Sequence, residues 1–277
     1  VAWKNQAMAE AAVGPGVRRW WHSRFGASFA RELVLVTALL LFYKYGRTLV
    51  SGESAKAVHH ARAVINFERD LRIFTEERLQ QAVIGAGQTF EWFLNAYYLF
   101  AHIAVTVVVF FWLYVRHPKT YVRFRRVMIA MTFTGLVLHL LYPLAPPRMF
   151  PNLGFVDTGK LVGPASYGHG SAYSGFANQF AAMPSLHFGW ALAVAWSVIV
   201  ATRSRVRWLI VLHPFVTLAA IVLTANHYWL DAIVATGLFL GALLLDHWWL
   251  RRTRSSSPES LPESAWNHAS RGAPIRT

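Results

Sequence analysis

No cysteine occurs in the 277 residues, which excludes disulfides, thiolate metal sites and a cysteine nucleophile together. Charge is scarce too. Asp, Glu, Lys and Arg make up 14% of the chain against 55% hydrophobic residues, and mean hydropathy is +0.33, a balance that excludes an ordinary soluble domain. Negative charge is the scarcer sign, with 13 acidic residues against 27 basic ones and a net charge of +14.

What the chain has instead is long apolar runs. A hydrocarbon core of about 30 Å needs roughly 20 helical residues to cross it. Six runs approach that length: about Arg31 to Tyr45, Phe90 to Val115, Val127 to Leu144, Leu186 to Thr202, Trp208 to Thr224, and Tyr228 to Leu250. The first and fourth are short. The first follows a basic, aromatic segment and has no small-residue cleavage site after it, so it reads as a retained anchor and not a signal peptide. The expected fold is all-α: a polytopic membrane protein of about six transmembrane helices. A basic cytoplasmic segment (1–30) precedes the membrane-embedded domain (31–250), and a polar, Ser- and Pro-containing tail (251–277) reads as disordered and cytoplasmic.

The positive charge is distributed as a topology signal. It gathers at Lys4, Arg18, Arg19, Arg24 and Arg31, at Arg116 to Arg126, at Arg203 to Arg207, and at Arg251 to Arg254. With six spans all four clusters fall on one side, and short loops rich in Lys and Arg stay inside. Both termini are therefore expected in the cytoplasm of a cell whose plasma or inner membrane holds the protein. Such charge also attracts anionic lipid headgroups, and its distribution argues against a nucleic-acid partner.

Two segments belong to the opposite face. From Glu53 to Gln80 the apolar positions Val58, Ala61, Ile65, Leu71, Ile73, Phe74 and Leu79 return at helical intervals among nearly balanced charges. This predicts one or two amphipathic helices lying at the interface between the first two spans and capping the bundle. From Ala145 to Met183 runs a loop containing Gly154, Gly159, Gly163, Gly168, Gly170 and Gly175, which reads as a lid or vestibule before the fourth span.

That loop leads into Pro184-Ser185-Leu186-His187, and forty residues later comes His227-Tyr228-Trp229-Leu230-Asp231. Ionisable side chains are costly in hydrocarbon, so two His, an Asp and a Ser at span ends on one face point to a reaction centre. Pro184 is expected to open the fourth span, with Ser185 and the free N–H groups of that turn facing outward as a phosphate cradle and His187 as proton donor. His227 and Asp231, four apart, are expected to share a helix face and hydrogen-bond, which fixes the imidazole tautomer and frees the other nitrogen for attack.

These residues resemble the type 2 phosphatidic acid phosphatase superfamily, and more closely its inositol phosphorylceramide synthase branch. The superfamily's Pro-Ser-Gly-His element matches Pro184 to His187 with Leu186 in place of Gly, and the His-x3-Asp end of its third element matches His227 and Asp231. Ala181 to His187 and Tyr142 to Arg148 look like the synthase branch. The likeness extends through Glu68, Glu76, Gln80, Asn95, Tyr97, Tyr98 and His102, from about Ala57 to Ala242. It implies a lipid phosphatase or phosphotransferase working through a phosphohistidine on His227. Asp231 would orient that ring, His187 protonate the leaving alcohol, and Ser185 with Arg148 hold phosphate oxygens. The implied substrate is a phosphorylated lipid at the outer leaflet, with no cofactor and no metal.

Two cations of the superfamily's phosphate clamp are absent: Leu141 and Ile221 stand at the Lys and Arg positions of the first and third elements. Lys160 and His169 in the loop, or Lys44 and Arg47 at the outer end of the first span, are substitutes by position. His102, His139 and His213 read as packed or interhelical hydrogen-bonding residues. The competing readings are a metal site on His187, His227 and Asp231, a Ser185–His227 protease dyad, and a degenerate site that only binds or transports lipid phosphate. Sequence leaves open whether phosphate passes to water or to an alcohol, which headgroup is handled, and the oligomeric state.

Overall fold

The computed structural model describes residues 54–163 and 180–255, together with Val34 and Thr37. The rest of the expected first span (31–45), Lys44, Arg47, His169, residues 1–30 and 256–277, and residues 164–179 of the Gly-rich loop lie outside the described residues.

The interfacial segment forms two helices, α1 (Ser54–Asp70) and α2 (Glu76–Ala86). Ala57, Ala61, Val64, Ile65 and Glu68 of α1 are buried along one face at three- and four-residue steps. The turn between the helices passes through Arg72 at φ 58, and the amides of Ile73 and Phe74 both bond the Glu68 carbonyl.

A long rod follows. α3 (Gln88–Ala96), a π-helical turn (Tyr97–Ala101) and α4 (His102–Arg116) run without a break through 29 residues, about 44 Å at 1.5 Å per residue. α5 (Pro118–Leu141) opens on Pro118, whose missing N–H costs nothing in a first turn. It therefore begins well before Val127, carrying its basic residues into the helix. The short α6 (Thr158–Val162) is capped by Asp157. α7 (Leu186–Ala201) comes next, then a 3-10 turn (Arg205–Val211) continuing into α8 (Leu212–Leu223), and finally α9 (Trp229–Ser255).

Four helical stretches are long and apolar enough to cross a membrane: Gln88–Arg116, Pro118–Leu141, Arg205–Leu223 and Trp229–Arg252. α7 is shorter and sits in the middle, packed against α4, α5, α8 and α9. Two glycines permit that central position. A Cβ at Gly189 would lie 2.6 Å from Met131 Cε, and one at Gly135 would lie 2.7 Å from Leu186 Cδ2, so the α5–α7 contact needs both bare backbones. Outward-facing Trp92, Phe100, Val107, Val108, Phe111, Leu244 and Trp249 are exposed, as a lipid-facing surface requires.

The bundle has two unlike ends. At one, Asp246 of α9 takes Arg123 at 2.8 Å and Arg126 at 2.6 Å, so two basic residues of α5 are neutralised where the helices meet. At the other end α1 packs on the segments leading out of α5 and into α7. Leu144 and Ala181 form a single parallel bridge, the Ala145 amide bonds the Ala57 carbonyl, and Phe150, Phe155, Ala225 and Tyr228 complete an apolar cap. No strand occurs among the described residues.

One local expectation fails. α7 begins at Leu186, with Ser185 as its N-cap and Pro184 outside the helix. A serine side chain accepts a helix N–H, whereas proline offers no side-chain acceptor, and the cap won over the first-turn preference.

Candidate active site

The capped end of the bundle gathers both histidine motifs. After α8 the chain reverses sharply, the amides of Asn226 and His227 both reaching the Ile221 carbonyl at 3.0 and 3.1 Å. His227 thus lies in the turn before α9, not on the helix, while Asp231 lies in the first turn of α9. They still meet: Nδ1 of His227 donates to Asp231 Oδ2 at 3.1 Å and to the Ala182 carbonyl at 2.8 Å. Both acceptors call for a proton on Nδ1, which leaves the lone pair on Nε2. Asp231 is fully buried, and its Oδ2 also accepts the Tyr228 amide at 2.9 Å.

The second motif is tied to the first through the backbone. The Ser185 amide donates to the Asp231 carbonyl at 3.2 Å, joining the start of α7 to the first turn of α9. Ser185 is buried and its Oγ faces the Phe188 amide at 3.5 Å, so the hydroxyl serves its own helix where the sequence suggested an outward cradle. His139 Nε2 donates to the Pro184 carbonyl at 3.1 Å, which makes it an interhelical strut, as expected for that residue. His187 is half-buried on the first turn of α7. Its ring stacks on Tyr98 at 4.4 Å and lies 4.8 Å from His102 and 6.4 Å from His227, centroid to centroid. That last spacing is too wide for a hydrogen bond between the rings.

Arg148 reaches the same turn. Its amide donates to the Ala225 carbonyl at 2.9 Å, and Nη1 donates to Asn226 Oδ1, next to His227. Its Nε lies 3.8 Å from Asp157 Oδ2, and Lys160 Nζ lies 3.3 Å from the same oxygen. Lys160 is thus linked to Arg148 through Asp157, but it is half-exposed. The two positions that lack their cation differ in place: Leu141 faces outward, 74% exposed, while Ile221 is fully buried among Phe188, Val222, Ala232 and Ala235.

His102 and His213 stack at 6.0 Å, and the Tyr97 hydroxyl meets His213 Nδ1 at 2.6 Å, so both are packed in the interhelical manner expected. Among the described residues no three His, Asp or Glu side chains form a metal-binding group.

Sequence reasoning missed the support for α9. A helix N-terminus leaves its first N–H groups unpaired, and here carboxyls from three places take consecutive ones. Tyr228 N goes to Asp231, Trp229 N to Glu76 Oε1 at 3.1 Å, and Leu230 N to Glu68 Oε1 at 2.7 Å. Both glutamates are fully buried. Burial, then the hydrogen bond and charge of Glu76, push the Glu68 carboxyl up to about 9. The sequence signal was present: Glu68 stands where the buried Ala57, Ala61, Val64, Ile65 series of α1 calls for an apolar residue.

Residues 62–245 match the PAP2 superfamily. A phosphoinositol dihydroceramide synthase of Bacteroides thetaiotaomicron is 27% identical over 154 residues, covering 50% of this chain and 50% of that protein. The chain therefore spans about half the length of that relative. No solved structure matches. The family match extends over α1 to α9, from the interfacial helices through both histidine motifs, and on that extent the chain belongs to the PAP2 superfamily.

Proposed function

We propose that the protein is an integral membrane lipid-phosphate phosphatase or phosphotransferase that works through a phosphohistidine on His227. The carrying observation is the double commitment of His227 Nδ1 to Ala182 and Asp231, which leaves the lone pair on Nε2, with the His187 ring 6.4 Å away.

In the first step Nε2 attacks phosphorus, the N–P bond forms, and the P–O bond to the leaving alcohol breaks. Protonated His187 gives its proton to the departing oxygen. Asp231 stabilises the positive charge that develops on the His227 ring. In the second step neutral His187 takes a proton from the incoming hydroxyl, whose oxygen attacks phosphorus as the N–P bond breaks, and both histidines return to their starting states. Arg148, braced by Asn226 and Asp157, supplies fixed positive charge for the equatorial oxygens. Ser185 contributes through the position of the α7 N-terminus, and Lys160 and His169 are secondary cations at the rim. No cofactor takes part.

The basic turns Arg116 to Arg126 and Arg203 to Arg207 lie at the end of the bundle away from His187 and His227, which supports a site at the outer face and cytoplasmic termini.

A second reading, transfer of an inositol-phosphate-type headgroup to a lipid alcohol, is favoured by the synthase relative. The same two steps serve it, with a phosphodiester on His227 and a lipid hydroxyl replacing water. The deciding experiment incubates purified protein with a panel of lipid monophosphates and phosphoinositol lipids, with and without a ceramide-type alcohol. Inorganic phosphate identifies the phosphatase, and a new phosphosphingolipid the transferase. Absence of either product across the panel refutes the enzymatic reading.

A further inference from the structure

Glu68 on α1 and Glu76 on α2 lie side by side, fully buried, and each uses Oε1 to cap one amide of α9. Their other oxygens, Oε2 of each, are also buried and have no other donor. Two bare carboxylates held together in such a place repel each other, and one proton between them removes both the repulsion and the unmet acceptors. The groups facing Glu68 add only negative or neutral character: Glu76 from α2, Asp231 from α9, and Tyr228 from the turn before it.

We propose that Glu68 and Glu76 share one proton and act as a clamp on the N-terminus of α9, positioning Asp231 and through it His227. Asp231 Oδ2 meets His227 only because Tyr228 to Asp231 hold their turn, and the glutamates fix the two amides in the middle of that turn. Trp229 reinforces the grip, its indole N–H donating to Thr75 Oγ1 at 3.0 Å in the α1–α2 turn. Neither glutamate touches the space between the histidines, so both are positioning residues. The catalytic part of this inference rests on the lipid-phosphate reading above, whereas the clamp itself does not.

Loss of the shared proton leaves two charges pushing apart beneath the helix end. Alkaline loss of amide protection at Tyr228 to Asp231, corrected for intrinsic exchange, therefore reports the clamp, because the alkaline limb of activity is already set by loss of the His187 proton. In Glu68→Gln the amide oxygen still accepts from Leu230 and its NH2 donates permanently to Glu76, so the proton can no longer be lost. This variant keeps kcat near neutral pH within about threefold of wild type and keeps those amides protected to higher pH. Glu68→Ala removes the cap, lowering kcat about tenfold or more with KM little changed, because the damage falls on the reacting geometry and not on lipid binding.

Hydrogen exchange read by mass spectrometry supplies a second measure. In Glu68→Ala the amides of Tyr228 to Asp231 exchange about tenfold faster or more, while those in the middle of α5 keep their wild-type rates. Unchanged exchange at those amides overturns the clamp. A wild-type alkaline loss of protection in Glu68→Gln overturns the shared proton, and this variant decides alone when the alanine form does not fold. Protection that depends on Glu68 in a protein that turns over no lipid phosphate upholds the clamp and refutes the enzymatic reading.

Discussion

Replacing Asp231 by Asn tests the site at its tightest point. Asp231 Oδ2 takes two donors, His227 Nδ1 at 3.1 Å and Tyr228 N at 2.9 Å, while Oδ1 is buried with no donor. An asparagine fits only with its oxygen at the Oδ2 place and its NH2 at the Oδ1 place, where two N–H donors have no acceptor. That unmet polar group costs about 1 to 3 kcal/mol of stability. The larger loss is chemical. A neutral amide no longer balances the charge that grows on His227 as Nε2 bonds to phosphorus, and the reverse amide orientation favours the wrong tautomer. For an orienting carboxylate of this kind the loss is on the order of 10² to 10⁴ in kcat. KM stays within about threefold, since Asp231 meets no substrate. Steady-state rates on the lipid that the product panel identifies, paired with thermal unfolding in detergent, separate the two effects. A variant within about threefold of wild-type kcat and equally folded refutes the assignment of Asp231 and the tautomer reasoning behind it.

His227→Ala should reduce turnover to background and abolish the acid-labile phosphoprotein formed with radiolabelled substrate; a labelled, active variant would move the nucleophile elsewhere. Arg148→Ala should cost about 2 to 4 kcal/mol of transition-state stabilisation, the scale of losing one oxyanion donor, with Arg148→Lys recovering part because lysine lacks the planar fork. Lys160→Ala, at a half-exposed side chain, should show a smaller effect that shrinks with salt, and the reverse order in kcat/KM at two ionic strengths would place the clamp in the loop. In this cysteine-free chain, single cysteines at Ser171 and Ser204 should react with an impermeant reagent from opposite sides, and labelling of position 204 from outside intact cells would invert the topology. Glu68 keeps its proton to about 9 when folded, against an ordinary 4.5. The unfolded chain therefore releases a proton that the folded one retains, and stability from this group is full below 4.5 and falls as pH rises through 9. Thermal unfolding across that window should show the decline in wild type and a flatter curve in Glu68→Gln.

Sequence carried the helical outline because span length and apolar periodicity are written locally. The run from Phe90 to Val115 sits inside the Gln88–Arg116 rod, and the pairing of His227 with Asp231 is visible from spacing alone. Local detail was lost where two signals competed. Pro184 favours a first helical turn, yet Ser185 took the cap, and the basic residues after Pro118 masked the true start of α5 until Asp246 was seen to neutralise them. The supports of the site were illegible for another reason. Glu68 meets Leu230 across 162 residues and Asn226 meets Arg148 across 78, and no local pattern in a single chain announces such pairs.

Those distances have a consequence for how the protein is made. The helices bearing Glu68 and Glu76 leave the ribosome some 150 residues before the amides that they hold, so the two carboxyls wait in water or headgroups while the intervening spans insert. The cap at the histidine end closes only when Trp229–Ser255 enters the bundle, and with the same step Asp246 neutralises Arg123 and Arg126 at the opposite end. One insertion event thus locks both ends of the bundle and brings His227 to Ala182 and Asp231. A partly synthesised chain already displays His187 and most of the apolar outer surface, and under the proposed mechanism it has no oriented nucleophile before the last helix arrives.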